Sequence, residues 1–122
     1  MTEKMFCDNA HWQAFTDSVR RLKNSDVCHI SLAYLLTVDT VTRDHIDDCF
    51  DFDNDSIKLD ALKKSWQTST SLKTTRLSFN LWNGCYSDGA FTSSAKMYTV
   101  EEIFNSPLAE YYWQAIKLRF NI

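Results

Sequence analysis

VCHISLAYLL, residues 27–36, decides the fold class, because its apolar residues fall on almost every side of a helix instead of along one stripe. A helix that is apolar all round has no face for solvent, so it belongs at the centre of a domain with other elements packed about it. Ser25 or Asp26 supplies its N-cap. Upstream, Trp12, Phe15, Val19 and Leu22 recur at helical spacing behind a cap at Asp8 or Asn9, and Asn24 marks the stop. Downstream, TVTRDHIDDCF (40–50) reads as a third helix capped by Asp39, with Val41, His45, Cys49 and Phe52 in line and aspartates on the other faces.

LDALKKSW (59–66) fits a short helix, and SLKTTRLSFNLWN (71–83) a longer one, capped by Thr68 or Ser69 and ended by Gly84 as a C′ glycine. The periodicity then fades, so residues 85–98 are expected to form an exposed loop or short hairpin turning at Ser87-Asp88-Gly89. Thr99 and Glu102 make a capping box for a helix ending near Asn105. Ser106 and Pro107 are the N-cap and N1 pair of a last helix, with Leu108, Tyr112, Ala115 and Ile116 facing inward. The expectation is an all-α fold of five to seven helices in one compact domain, residues 1–122.

Bulk composition agrees. A chain of 122 residues that is 44% hydrophobic has apolar material for one core and is too short to divide comfortably into two. Two glycines and one proline are too few for a sandwich or barrel that turns every few residues. The N-terminal residues lack the apolar region of a signal peptide, and no run approaches a membrane span, so a cytoplasmic protein is expected. Cys7, Cys28, Cys49 and Cys85 form no CxxC pair and are read as reduced. The net charge of −3 argues against direct nucleic-acid binding.

DFDNDSIKLDAL (51–62) begins like an EF-hand calcium loop, but its sixth and twelfth positions hold Ser56 and Leu62 in place of glycine and a bidentate glutamate. The reading is an acidic turn leaving the third helix. No phosphate loop, nucleophile elbow, zinc-protease helix or dinucleotide fingerprint occurs, so no residue is assigned a catalytic role. The histidines are unusual: His11, His29 and His45 sit one on each of the first three predicted helices. Cys7 with His11, and His45 with Cys49, are four apart, which puts sulfur and imidazole on one side of a helix as tetrahedral zinc requires. The expectation is one structural zinc held by His11, His29 and His45, with Cys49 as fourth ligand. The competing reading makes them core histidines and buried thiols.

The aspartates are read as a negative surface, with Asp44, Asp47, Asp51, Asp53 and Asp55 as contacts for a basic partner. The competing reading is a solvated helix face. SWQTSTSLKTTRLSFNLWNG (65–84) carries the Trp and Arg of a binding hot spot, or the aromatics of a core.

CHISLAYLL, TRDHIDDCFDF, IKLDALKKSWQTSTSLKTTRLSFNLWNG and AEYYWQAIKLRF together resemble an uncharacterised domain family of small proteins carried by phages and mobile elements of Gram-positive bacteria. WQT followed by RLSFNLWNG is the most specific match. The resemblance aligns His11, His29 and His45 with family histidines, and Arg43, Asp48 and Asp51 with polar positions beside the third. Cys49 stands where the family has an aliphatic residue, which makes Asp48 its rival as a ligand. The resemblance implies no established activity; from the context of a small, acidic, single domain carried on mobile DNA, the expectation is an inhibitor of host defence, an anti-CRISPR protein that binds an RNA-guided nuclease and blocks its nucleic-acid loading. The alternative is a small metal-dependent hydrolase in which the three histidines hold the metal and Asp48 is the base.

Overall fold

The computed structural model describes residues 5–89 and 94–122, and the fold is all-α with one two-stranded hairpin. Helix α1 spans Asn9–Arg21 and α2 Val27–Val38, capped by Asp8 and Asp26, whose carboxylates accept from the backbone N–H of His11 and His29. From Ser31 to Val38 every residue of α2 is buried. Its hydroxyls do not go unsatisfied, because Thr37 donates to the Ala33 carbonyl and Ser31 to that of Cys28.

Helix α2 is the wall shared by two apolar clusters. Tyr34, Leu35 and Val38 pack with Leu77, Leu81, Ile103, Tyr112 and Ala115 on one side. Leu32 and Leu36 pack with Cys49, Phe50, Ala61, Leu62 and Phe79 on the other. A helix clad on both sides explains the unbroken apolar run, and truncating any of these side chains would cost the lost transfer energy plus a cavity. On α1 the buried positions are His11 and Ser18, whereas Trp12, expected to face inward, is 44% exposed with its ring edge-on to Phe6.

The predicted third helix breaks in two, α3 (Thr40–Asp44) and α4 (Ile46–Cys49), at His45. Tertiary bonds cause the break: Thr42 Oγ1 donates to the Leu36 carbonyl at 2.8 Å and Arg43 Nε to that of Thr37 at 2.8 Å, which ties α3 back onto the end of α2. Phe50 then turns extended to bury its ring. Strand β1 (Phe50–Asp51) pairs antiparallel with β2 (Ser56–Ile57), in the register Phe50 opposite Ile57. The acidic run is therefore a hairpin turn. Asp51 closes it by accepting from the N–H groups of Asp53 and Asn54 and from the Asn54 amide, and Asp55 takes the left-handed conformation at φ +57°.

A 3-10 helix (Leu59–Lys63) leads to α5 (Ser69–Asn83), which carries the Thr68–Ser71 capping box and ends at Gly84, φ +80°. A bend at 87–89 and a 3-10 helix (Ala95–Tyr98) are the described parts of the span expected to be a loop or hairpin; residues 90–93 lie outside the description. Thr99 caps α6 (Val100–Phe104). The last helix, α7 (Ala109–Phe120), begins two residues later than Ser106-Pro107 would place it, because Ser106 Oγ instead accepts from the Leu108 N–H in a preceding turn. No helix among the described residues is long and apolar enough to cross a membrane.

Candidate functional site

The acidic hairpin and its supports are the candidate site. Arg21 reaches from the end of α1 to donate to Asp47 at 2.5 Å, and its guanidinium carbon lies 3.8 Å from the Phe52 ring centre. Lys58 Nζ donates to the Asp47 carbonyl at 2.7 Å. The Arg21–Asp47 pair is exposed and worth at most about 1 kcal/mol. Asp51 is held below the ordinary carboxylate range by the Asn54 side chain and the turn N–H groups. Asp44 and Asp53 are exposed and stand outside any ion pair among the described residues.

The hairpin is locked from below by His29. Its Nδ1 lies 2.7 Å from Asp26 Oδ1 and its Nε2 2.8 Å from Asp55 Oδ1, while the ring stands edge-on to Trp82 with centres 4.7 Å apart. Two carboxylates can only accept, so the ring that fits between them is the imidazolium, with a proton on each nitrogen. Burial opposes that charge, but Asp26 and Asp55 outweigh it and hold the His29 pKa above 6.5. The stability this contact adds is therefore fully present below pH 6.5 and fades as the pH rises through the folded-state value. Asp55→Asn is expected to lower the His29 pKa in an NMR titration and to reduce amide protection across 50–57. An unchanged titration would mean that Asp55 does not hold the ring.

The expected zinc ligands occupy three separate settings. His11 is fully buried on the other cluster, its Nδ1 accepting from the Cys7 N–H at 3.3 Å and its Nε2 donating to the Tyr34 carbonyl at 3.1 Å. His29 spends both nitrogens on the hairpin lock. His45 lies flat on Trp66, centres 4.3 Å apart and planes within 3°, with its Nδ1 3.8 Å from Asp48. Asp48 in turn accepts from the Trp66 indole N–H at 3.0 Å. Cys49 is buried against apolar neighbours, which pushes its thiol up to about 12 and keeps it protonated at neutral pH. Among the described residues no three His, Cys, Asp or Glu side chains are arranged to hold a metal ion. A zinc bound by these residues would have to break the His11 and His29 bonds first.

The WQT and RLSFNLWNG residues are mostly structural. Gln67 donates to the Ala61 carbonyl and to Thr75 and accepts from Ser71, Thr68 caps α5, and Leu77, Phe79 and Leu81 are core. Sequence reasoning missed the fork that Arg76 makes with Asp88, Nε at 3.1 Å and Nη2 at 2.7 Å, with the Tyr98 hydroxyl donating to the same carboxylate at 2.7 Å. No local spacing advertises a pair twelve residues apart across a loop.

No curated protein and no solved structure is significantly similar to this chain. The family of unknown function designated DUF6075 matches it over residues 1–122, and the chain belongs to that family.

Proposed function

We propose that the chain is a non-catalytic binding protein, carried by a phage or mobile element of a Gram-positive host, that lays its acidic hairpin edge on the basic channel of an RNA-guided nuclease and blocks nucleic-acid loading. The observation that carries the reading is the rigid mounting of that edge. Asp51 closes the turn, Asp55 pins it to His29, and Arg21 lies over the Phe52 ring, so the hairpin backbone that carries Asp53 is held in place before any partner arrives. Fixed charge avoids the entropy of ordering a flexible acidic loop on binding, and the field of a basic channel would steer such an edge toward it.

Asp44→Lys combined with Asp53→Lys tests the reading, since both positions are exposed and neither holds the fold. In a competition assay with a purified RNA-guided nuclease and fluorescent guide RNA, the wild-type chain is expected to displace the RNA. The double variant should need at least about tenfold more protein, the factor of roughly 1.4 kcal/mol. Equal competition by both proteins would remove the acidic edge from the interface, and no competition by either would remove the function.

A further inference from the structure

A second surface lies on the opposite cluster, where the C-terminal half of α5, one face of α6 and the last turn of α7 enclose a groove of about 380 Å³. Its walls are Leu77 and Leu81 of α5, Ile103 and Phe104 of α6, and Ile116 and Phe120 of α7. Phe120 is 56% exposed and Val100 at the rim is 74% exposed, so apolar surface is left in water at the mouth. The volume falls at the small end of the roughly 300–1,000 Å³ typical of organic-ligand sites.

Among the described residues, Arg119 is the cation that lines this groove. Arg119 donates from Nε to the Leu81 carbonyl at 2.7 Å, which fixes the guanidinium at the groove wall, and its carbon lies 4.9 Å from the Phe120 ring centre. Among the described residues its two Nη groups have no hydrogen-bond partner. A guanidinium held by Nε and a ring, with the Nη pair open, is a fork set for the two oxygens of a carboxylate. A mostly apolar trough with one fixed guanidinium in its wall has the polarity of a short amphiphile: an alkyl chain with an anionic, planar head.

We infer that this groove binds a medium-chain carboxylate, the chain against α5 and α6 and the head on Arg119. The site is independent of the acidic hairpin and of the function proposed for it. Decanoate, below its micellar concentration, is the probe, with decanol as the head-group control and calorimetry as the readout. Decanoate is expected to bind at least about tenfold more tightly than decanol, the factor of one charge-assisted hydrogen bond. In Arg119→Gln the two should bind alike. Decanoate should also shift the methyl resonances of Ile103 and Ile116 in the wild-type chain, a readout that does not depend on the variant folding. No binding of decanoate, equal binding of decanol to the wild type, or shifts confined to other residues would each overturn the inference. So would tighter binding of a peptide with an apolar C-terminus, which would assign the fork to a protein partner.

Discussion

Asp88→Ala is expected to cost about 3–5 kcal/mol of folding stability, the range for stripping one member from a buried ion pair. Arg76 is a buried residue of α5, and its side chain is 10% exposed against 17% for Asp88. Burial raises the Asp88 pKa, but the Arg76 fork and the Tyr98 hydroxyl more than offset it and leave the carboxylate below its ordinary range. Removing the carboxylate leaves a guanidinium without its partner, and the Tyr98 hydroxyl loses its acceptor as well. The reverse comparison separates charge from packing. Arg76→Met with Asp88→Leu removes both charges and should recover most of the loss, because the pair's own attraction is largely consumed by desolvation. Urea denaturation measures both: the single variant should move the midpoint without changing the slope, and a loss under about 1 kcal/mol would show that the fork is effectively solvated.

What the fork holds is the bend at 87–89, joined to α5 and to the 3-10 helix that leads into the apolar groove. Its loss is therefore expected to loosen the Tyr98 side of that groove while leaving the hairpin edge intact. The two surfaces sit on different clusters of the core, with α2 between them. Damage to one should not abolish binding at the other.

The parts of this fold that were legible in the sequence are those with local causes. Asp8, Asp26, Thr68 and Thr99 cap their helices because each carboxylate or hydroxyl reaches N–H groups two or three residues ahead, and Gly84 ends α5 because it accepts a positive φ. The unbroken apolar run of α2 announced its central place. What the sequence could not show depends on partners far along the chain. Thr42 and Arg43 reach back to α2, so the expected third helix breaks at His45 and the acids after it become a hairpin. Asp55 reads from the sequence as one more contact of an acidic surface, whereas in the fold its partner, 26 residues earlier, is His29. The spacing of His11, His29 and His45 was equally good for a shared metal and for three separate structural roles. In the fold the Tyr34 carbonyl receives His11, the Asp55 carboxylate receives His29, and the Trp66 indole stacks on His45, all partners that no local spacing reveals.

His11 should make the protein acid-labile in a definite window. In the fold its Nε2–H donates to the Tyr34 carbonyl and its Nδ1 accepts from the Cys7 N–H, an arrangement available only to the neutral ring. A second proton would set Nδ1–H against the Cys7 N–H inside a fully buried cage of Phe6 and Tyr34 rings. Burial is the main cause, the nearby Arg43 adds to it, and together they lower the His11 pKa from 6.5 to about 4. The unfolded chain takes up the proton near pH 6.5, whereas the folded chain refuses it until about 4. Stability is therefore complete above 6.5 and declines as the pH falls, by on the order of 3 kcal/mol once the pH has passed the folded value. His29 does not share this loss, since its raised pKa keeps its contribution in place below 6.5, and the lowered carboxylates Asp26, Asp51 and Asp88 begin to lose theirs near the foot of the window. His11→Gln keeps a donor of similar reach without the titration. Urea denaturation at intervals from pH 7 to 4 should show the wild type losing stability more steeply than this variant, by about one proton's worth of slope. Parallel profiles, or a His11 resonance titrating near 6.5 in the folded protein, would show that the ring is hydrated and that the clasp between the Cys7 segment and α2 is not closed.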